Sequence, residues 1–278
     1  MVYEYATSAS SRRAVPEEQE MNGNNHFAQY PSLRDRTILI TGGASGIGSA
    51  LVEEFALQGS KVAFLDIASA EAEKLIQYLD VRVAHRPFFV RCDITDIDAL
   101  KSSIEKVRER FGPIRVLVNN AANDDRHQTN EVTAEYWDSR MNVNLRHHFF
   151  TIQAVNAGMA SSGGGSIVNM SSIAWMIPST GLPAYVTAKA GIVGLTRAMA
   201  HELGPSNIRV NCVLPGAVLT ERQKKLWWSP TYEAEIMGRQ ALKQPLLPSD
   251  VARMVLFLAA DDSRAITNQS FIVDAGWV

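Results

Sequence analysis

Seven short runs of β-branched and apolar residues alternate with longer amphipathic stretches from residue 36 onward. This alternation is typical of repeated βα units, which form a parallel sheet with helices on both faces. The predicted strands are TILI, KVAFLD, FFVRCD, IRVLVNN, GSIVNMSS, IRVNCVLPG and SFIVDAG. We therefore expect a single α/β domain built on a doubly wound sheet of about seven parallel strands.

The composition favours a protein that acts on small molecules. A formal net charge of −2 gives no sequence-wide basic field for nucleic acid or an anionic membrane. Neither a membrane-spanning apolar run nor the hydrophobic segment of a signal peptide is found, which predicts a cytoplasmic protein. The two cysteines, Cys92 and Cys212, lie in apolar strand-like segments and are interpreted as buried thiols. No metal site is predicted.

Two segments depart from the βα pattern. Residues 1–32 are polar and lack periodicity, so they are predicted to form a flexible arm before a domain at 33–278. Coverage of a neighbouring subunit is the alternative for this arm. Residues 219–247 are irregular and contain two tryptophans and three prolines. They are interpreted as a mobile or short-helical substrate lid, with an ordinary surface insertion as the alternative.

A glycine-rich turn, GGASGIG, directly joins the first predicted strand to the first predicted helix. Gly42 permits a tight turn, Gly46 allows backbone N–H groups to approach a pyrophosphate, and Gly48 allows close packing of helix on strand. The strand before and the helix after make simple turn chemistry a weaker alternative. The turn therefore predicts a dinucleotide site, with Gly42, Ser45, Gly46, Ile47 and Gly48 at the cofactor.

Polar residues follow the next three strands, at the edge where open α/β sheets bind ligands. Asp66 is placed to accept hydrogen bonds from the adenosine ribose hydroxyls and to repel a phosphate on that ribose. A helix N-cap role for Asp66 is compatible with this. Because the glycine turn holds no Arg or Lys, NAD is favoured over NADP. The residues expected at the cofactor here are Asp66, Ile67, Asp93, Ile94, Asn120 and Ala121.

Tyr185 and Lys189 stand four positions apart in a predicted helix, so they share one face. A free phenol ionises near pH 10, too high for an efficient base at neutral pH. A cation about 5 Å away at an effective dielectric of 20 stabilises a phenolate by roughly 3 kcal/mol, or about two pKa units. We therefore expect Lys189 to make Tyr185 a usable base. A chance pair on a solvated helix face is the alternative.

Two further polar residues are candidates for the same reaction. Ser172 follows the strand GSIVNM, where its hydroxyl is placed to hold the reacting oxygen, although Ser171 and Ser172 are also suited to cap turns. Asn144 lies in a predicted helix interior, which is unfavourable for Asn unless its amide holds a water or bends the helix. A water at Asn144 would relay protons to Lys189.

In their order and spacing these motifs resemble the short-chain dehydrogenase/reductase family over residues from about 33 to 278. The resemblance rests on TGxxxGxG from Thr41, NNAA from Asn119, YxxxK from Tyr185 and PGAVLT from Pro215, together with Asn144 and Ser172. It implies a Rossmann-type fold and a catalytic tetrad of Asn144, Ser172, Tyr185 and Lys189. It further implies that Tyr185 and Lys189 contact the cofactor, as do Pro215, Gly216, Val218 and Thr220. Family members are commonly homotetramers or homodimers. Ala122 stands where the family usually has Gly.

The loop NDDRHQTNEVT after the fourth strand offers groups that bind hydroxyls, of which Asn123, Asp125 and His127 are predicted substrate contacts with Ser172 and Tyr185. Trp175, with Trp227 or Trp228, is suited to stack on a sugar, although loops are polar anyway and Trp more often packs in cores. The runs NAANDDRH, YWDSRMNVNLRH and DAGWV resemble bacterial aldose (D-xylose) 1-dehydrogenases.

That resemblance implies NAD-dependent oxidation of the anomeric hydroxyl of an aldose to a lactone, with Tyr185 as base and hydride transfer to NAD. Two alternatives stay open. The same tetrad suits a reductase of 3-oxoacyl thioesters or other small ketones. A dinucleotide-binding sensor without catalysis is the other, and the intact Ser172, Tyr185 and Lys189 argue against it.

Overall fold

The computed structural model of the protein describes residues 27–278. These residues form a seven-stranded sheet in which all six neighbouring pairs run parallel. The strand order is β3-β2-β1-β4-β5-β6-β7. The strands are β1 (Thr37–Thr41), β2 (Lys61–Asp66), β3 (Phe88–Arg91), β4 (Val116–Asn119), β5 (Gly165–Met170), β6 (Ile208–Pro215) and β7 (Ser270–Val273). The predicted doubly wound parallel sheet is confirmed.

Helices connect the strands and cover both faces of the sheet. They are α1 (Gly46–Leu57), α2 (Ser69–Leu79), α3 (Ile97–Phe111), α4 (Ala134–Met141), α5 (His147–Ser161), α6 (Pro183–Leu203), α7 (Glu221–Leu226), α8 (Pro230–Arg239) and α9 (Pro248–Ala259). Helices α1, α2 and α9 pack on one face, and α3, α5 and α6 pack on the other.

The central strands show why the sheet needs helices on both sides. Every residue of β1 is buried. Successive side chains of a strand point to opposite faces, so Ile38 and Ile40 pack with α1 and α9 while Leu39 packs with α3 and α5. A continuous apolar run such as TILI is thus buried on both faces, as expected of a parallel strand.

The strand order reverses direction between β1 and β4. Helix α1 carries the chain from β1 to β2 on one side, whereas β4 pairs with β1 on its other side. The connections on the two sides of this point lie on opposite faces and leave a crevice at the carboxyl ends of the strands. The residues that follow β1, β4, β5 and β6 converge on this crevice.

The helix predicted around Asn144 is divided into three parts. Helix α4 passes through one wider π-helical turn, Asn142–Arg146, before α5 begins at His147. Such turns insert an extra residue into a helix and are frequent at functional sites. Asn144 thus lies where the regular helix is interrupted.

Most of the predicted N-terminal arm, residues 1–26, lies outside the described residues. Its last part packs on the domain: Tyr30 donates its backbone N–H to Gln58 Oε1 at 2.8 Å, and Gln58 donates to the carbonyl of Ala28 at 3.1 Å. Leu33, where the predicted domain begins, is fully buried. Among the helices described, none combines the length and apolar character needed to cross a membrane.

The segment 219–247, interpreted as a lid, is largely helical. Helices α7 and α8 lie within it, each started by a side chain that accepts a backbone N–H, Thr220 for α7 and Ser229 for α8. The segment returns to the sheet through a parallel bridge between Val218 and Leu246. Both ends of the segment are thereby fixed next to the carboxyl end of β6.

Candidate active site

The glycine turn between β1 and α1 adopts a conformation that side chains would prevent. Gly42 has φ of +67°, and a Cβ at this position would lie 2.7 Å from Cα of Ala121 on the neighbouring strand end. A Cβ at Gly48 would overlap the carbonyl oxygen of Gly42. The first N–H groups of α1 have no partners within the helix and face the crevice, which favours an anion there.

Asn120 and Thr41 hold this turn from the β4 side. The Asn120 side chain donates to the carbonyls of Thr41 at 3.1 Å and Gly42 at 2.9 Å. The Thr41 hydroxyl oxygen accepts the backbone N–H groups of Asn120 and Ala121 at 3.0 and 3.1 Å. Asn120 therefore fixes the shape of the turn as well as lining the cleft beside it.

Asp66 braces the turn from the β2 side. One carboxylate oxygen accepts the N–H of Ala44 at 2.9 Å, and the other accepts that of Ala68 at 3.0 Å. The residue that precedes helix α2 is Ala68, so Asp66 is not its N-cap. Since a carboxylate accepts about four hydrogen bonds, Asp66 retains capacity for ribose hydroxyls.

The residues predicted after β2 and β3 are placed less uniformly. Ile67 is 62% exposed at the sheet edge, whereas Ile94 is buried. Asp93 is exposed, and its carboxylate accepts the N–H and hydroxyl of Thr95 at 2.9 and 2.7 Å. Ser45 precedes α1 and is exposed. These residues surround the turn on the side of β2 and β3.

Tyr185 and Lys189 lie on the first turns of α6, on the face that packs against β5 and β6. Lys189 is 2% exposed, and its ammonium donates to the carbonyl of Met170 at 2.8 Å. The ammonium nitrogen lies 5.4 Å from the centre of the Tyr185 ring. The predicted convergence of the two side chains on one volume is confirmed.

Burial opposes the expected lowering of the Tyr185 pKa by Lys189, on which its use as a base was predicted to depend. Burial raises the pKa of Tyr185, and the Asp124 carboxylate raises it further, while hydrogen bonding with Ser172 lowers it. Burial also lowers the pKa of Lys189 to about 8, although Cys212 and Asp124 act to raise it. The physical reason is desolvation, which disfavours the charged form of both groups and is the largest cause of both shifts.

Ser171 and Ser172 have different tasks. The Ser171 hydroxyl donates to the carbonyl of Lys189 at 2.7 Å and so ties α6 to the end of β5. The Ser172 hydroxyl oxygen accepts the N–H of Ala174 at 3.1 Å, which starts a short turn, and this hydroxyl is near enough to Tyr185 to lower the pKa of its phenol. Ser172 is thus both a cap and a cleft residue, and its hydroxyl faces the phenol.

Asn144, in the π-helical turn, is fully buried and does not line the cleft. Its amide oxygen accepts the N–H of Asn123 at 2.8 Å, and its NH₂ donates to the carbonyls of Asn123 and Arg140, both at 3.0 Å. Both amide hydrogens are therefore used by backbone carbonyls. The side chain fastens the loop after β4 to the long helix.

A cleft of about 470 Å³ lies above these residues, between the sheet edge and segment 219–247. Nine predicted site residues line it, namely Ile47, Asn120, Ser172, Tyr185, Lys189, Pro215, Gly216, Val218 and Thr220. Thr220 Cγ2 lies 3.4 Å from the position that a Cβ on Gly46 would take. The glycine turn and the loop after β6 therefore flank one cleft, and the catalytic candidates lie in it.

The predicted substrate contacts outside the tetrad are not among the residues that line this cleft. Nδ1 of His127 is hydrogen-bonded to the hydroxyl of Tyr136 at 3.1 Å, and the backbone N–H of Asn123 donates to the side chain of Asn144. Asp125 pairs with Arg222 at 2.6 Å and with Arg140 at 3.4 Å. Trp175 is 37% exposed beside the cleft.

Seven charged, amide or aromatic residues line the cleft without having been selected as site residues from the sequence, although Asp124 and Arg126 were expected at the mouth of the site. They are Asp124, Arg126, Gln223, Tyr232, Glu235, Arg239 and Trp277. Asp124 and Arg126 belong to the loop already singled out, and Trp277 to the motif DAGWV. The other four belong to α7 and α8, and no spacing rule relates those helices to the sheet edge.

A nicotinamide dinucleotide fits this arrangement. The turn at Gly42 and Gly48 leaves room that side chains would fill, helix α1 presents unpaired N–H groups, and Asp66 has free acceptor capacity. Pro215, Gly216, Val218 and Thr220 face the same cleft as Tyr185. When bound, the oxidised nicotinamide supplies a hydride acceptor and one positive charge.

Comparison with known proteins agrees with the geometry. A family model described as enoyl-(acyl carrier protein) reductase, of the short-chain alcohol dehydrogenase type, matches residues 42–278. A probable galactose dehydrogenase of Rhizobium meliloti (strain 1021) is 49% identical over 249 residues, 90% of this chain and 97% of that protein. A D-xylose 1-dehydrogenase of Caulobacter vibrioides (strain NA1000 / CB15N) is 48% identical over 253 residues, 90% of this chain and 98% of that protein.

Among solved structures, a short-chain type dehydrogenase/reductase from Mycobacterium ulcerans superposes with a TM-score of 0.84 at 27% identity. The match covers 88% of this chain and 90% of that one. The Tyr185–Lys189 pair, the glycine turn and the sheet order thus occur in a chain whose relatives are named dehydrogenases. The protein therefore belongs to the short-chain dehydrogenase/reductase family of oxidoreductases, which bind a nicotinamide dinucleotide and act on small molecules.

Proposed function

We propose that the protein oxidises the anomeric hydroxyl of an aldose of the D-xylose type to a lactone, with NAD as the hydride acceptor. The observation that carries this proposal is the juxtaposition, in one cleft, of Ser172 and Tyr185 with polar side chains from the lid and from the loop after β4. An aldose presents several hydroxyls, and such a wall offers partners for them. Relatives named for galactose and D-xylose support the substrate class.

Tyr185 accepts the proton of the anomeric hydroxyl in this proposal. Its phenol and the Ser172 hydroxyl line the same cleft, so the hydroxyl is placed to hold the same oxygen of the sugar. Burial raises the pKa of Tyr185, so proton transfer to this residue depends on positive charge in the cleft. The Lys189 ammonium, 5.4 Å from the ring centre, contributes part of that charge. The four side chains of the tetrad thus have unequal tasks.

Lys189 and Asn144 act behind the reacting atoms. Lys189 is held by the Met170 carbonyl, and with a pKa of about 8 it is able to release or take up a proton near neutral pH. Asn144 positions the loop after β4 through its bonds to Asn123. We infer that Asn144 fixes the backbone at Asn123, and that the proton leaves the site along this part of the loop.

NAD rather than NADP is proposed from the charges around the turn. Asp66 places a carboxylate at the end of β2, and GGASGIG contains no cation to neutralise a ribose phosphate. For Asp66→Ala we expect the preference for NAD over NADP to fall by about 1 to 3 kcal/mol, the range of a charge-assisted hydrogen bond.

The measurement for this prediction is kcat/KM with each cofactor. Asp66→Asn serves as the matched variant, because its amide oxygen still accepts the N–H of Ala44, although the charge and the bond from Ala68 are lost. Unchanged discrimination in both variants would exclude the ribose role. A loss of activity with both cofactors in Asp66→Ala alone would point to the brace on the glycine turn.

A homotetramer or homodimer is also proposed. The support is Phe149, which is 41% exposed on α5, and the exposed apolar residue Ile272 on the last strand of the sheet. Light scattering coupled to size-exclusion chromatography measures the mass of the assembly directly, and a monomer of 30.6 kDa would contradict the proposal.

The decisive experiment for the reaction is a substrate panel. Rates are measured with aldoses, with polyols and with 3-oxoacyl esters, each in the presence of NAD(H) and NADP(H). We expect aldose oxidation with NAD and a lactone as product. Turnover confined to the oxoacyl compounds would reject the sugar assignment in favour of a ketone reductase. Absence of turnover, with intact cofactor binding, would favour a dinucleotide sensor.

A further inference from the structure

One carboxylate links the loop after β4 to the lid and also faces the cleft. Asp124 accepts from Nε of Arg222 at 3.2 Å and from Nε2 of Gln223 at 3.1 Å, both on helix α7. Its neighbour Asp125 takes the other end of Arg222, from Nη2 at 2.6 Å. The two adjacent carboxylates thus share one guanidinium.

The two carboxylates differ in where they face. Asp124 lines the cleft and its side chain is 29% exposed, whereas Asp125 is 49% exposed and lies outside the lining. The charge of Asp124 raises the pKa of Tyr185 and Lys189 on α6 and of Tyr232 on α8. Asp124 is therefore electrostatically close to the catalytic pair and to helix α8.

Asp124 has hydrogen-bonding capacity to spare. Each of its oxygens accepts one donor from α7, while an ionised carboxylate accepts about four. Its bonds to Arg222 and Gln223 fix its orientation from the lid side, so the remaining lone pairs are held in place before a ligand arrives.

We propose that Asp124 is the specificity-determining residue of this site, and that its carboxylate accepts the hydroxyl hydrogens of a polyhydroxylated substrate next to the reacting carbon. This inference rests on the proposed aldose dehydrogenase function and assigns its substrate recognition to one side chain. It replaces Asp125 and His127, the sequence-based choices, with Asp124, which lines the cleft together with Tyr185.

The chemistry of a half-buried carboxylate supports this choice. A ligand that covers Asp124 without donating a hydrogen bond to it would desolvate the carboxylate with no compensating interaction, which costs free energy. Sites that hydrogen-bond a substrate hydroxyl reject analogues without it strongly, because the buried partner is then left unpaired. An acyl chain meets that penalty at Asp124, whereas a sugar hydroxyl removes it.

The bonds of Asp124 and Asp125 to Arg222 and Gln223, which we call the latch, also hold segment 219–247 in place. This positioning effect of Asp124 must be separated from substrate recognition. Arg222→Gln breaks the ion pairs from the lid but leaves the Asp124 charge in the cleft. Asp125→Asn alters the same latch from the side outside the cleft. Asp124→Asn removes the charge itself, keeps the shape of the side chain and loses one of the two bonds to α7, and Arg222→Gln controls for that last effect.

The test measures kcat/KM of these three variants and the wild type with D-xylose and its monodeoxy analogues. We expect the wild type to lose about 10- to 100-fold on the analogue that lacks the hydroxyl bound by Asp124, the range for a hydrogen bond to a charged group. In Asp124→Asn the loss on D-xylose is of similar size, and the analogue is then discriminated by less than about threefold. Arg222→Gln and Asp125→Asn are expected to keep the wild-type ratio between sugar and analogue.

Three outcomes overturn the inference. Unchanged discrimination in Asp124→Asn would exclude recognition by this carboxylate. Equal loss of discrimination in Arg222→Gln would show that Asp124 only holds the lid. A wild type that turns over only ketones without hydroxyls would refute both this inference and the proposed function. If polyols but no aldoses are oxidised, the proposed function alone fails, and the same comparison on the polyol and its deoxy analogues decides the inference.

Discussion

Two regions are held by opposite kinds of contact: the floor, by which we mean Ser172, Tyr185 and Lys189 with Asn144 behind them, and segment 219–247, which we propose as a lid. On the floor, Lys189 and Asn144 are buried and bonded to backbone atoms, so neither can move without exposing an unsatisfied polar group. On the lid, Arg222 is 48% exposed and bonds to carboxylates that are themselves partly exposed. Contacts of the first kind fix a geometry, whereas those of the second kind are weak and screened by salt.

This difference separates chemistry from recognition. The floor lies on the long helices and the strand ends, whose packing against the sheet determines where Ser172 and Tyr185 face. Segment 219–247 supplies Gln223, Tyr232 and Glu235, which line the cleft. A change in the lid is therefore expected to alter which molecule is bound, and a change in the floor to alter whether it reacts.

The largest effect is expected on the floor, for Tyr185→Phe. Loss of the phenol oxygen removes the proton acceptor, and general base catalysis contributes about 10²- to 10⁴-fold, so we expect kcat to fall by about 10³-fold. Cofactor affinity, measured by fluorescence titration with NADH, is expected to change little because the ring remains. If Tyr185→Phe kept more than a tenth of the wild-type kcat, the phenol of Tyr185 would not be the proton acceptor.

The next effect is structural and also on the floor. Asn144→Ala removes three hydrogen bonds and leaves backbone groups of Asn123 and Arg140 buried without these partners. At about 1 kcal/mol or more for each lost bond, we expect the free energy of unfolding to fall by about 3 kcal/mol. Guanidinium unfolding measures it, and a change below about 1 kcal/mol would show that the loop after β4 is held by other contacts.

A third prediction uses pH to probe the helix below the floor. Burial lowers the pKa of His147 to about 3, and that of His148 is also well below its usual value. Both are neutral when folded and gain a proton on unfolding below about pH 6.5, so the unfolded state is favoured as the pH falls. For His147 alone we expect a loss of about 2 kcal/mol of stability between pH 7 and pH 5.

Urea unfolding at several pH values measures this slope. His147→Gln keeps a donor for the carbonyl of Ala121 and cannot titrate, so it is expected to flatten the slope. His201→Gln, at an exposed position of α6, is the matched control and is expected to leave the slope in place. An acid slope that survives His147→Gln and His148→Gln together would contradict the buried neutral pair.

The same division explains what the sequence predicted and what it missed. The seven strands, the glycine turn and the Tyr185–Lys189 pair follow from periodicity and from i,i+4 spacing, which are local rules. The raised pKa of Tyr185 was not predicted, because desolvation depends on everything packed around the ring. Local rules describe the pair and say nothing of its surroundings.

The recognition residues were missed for a related reason. Asp124, Gln223 and Arg239 come from three segments that meet only after the lid folds over the sheet edge. The choice between Asp124 and Asp125, adjacent in sequence, depends on which carboxylate turns toward the cleft. In an irregular loop no repeat fixes this direction, so the prediction selected the neighbour.

The smallest effect on stability is expected for the lid itself. Arg222→Gln removes exposed ion pairs, which contribute about 0 to 1 kcal/mol, so the free energy of unfolding is expected to change by less than about 1 kcal/mol. Local opening of segment 219–247 responds to those same contacts, and limited proteolysis there is expected to become several-fold faster. Since salt screens exposed pairs, about 0.5 M NaCl should accelerate cleavage of the wild type and hardly affect the variant. A loss of more than about 2 kcal/mol in Arg222→Gln would instead make the lid part of the cooperative core, and the separation of recognition from chemistry would no longer hold.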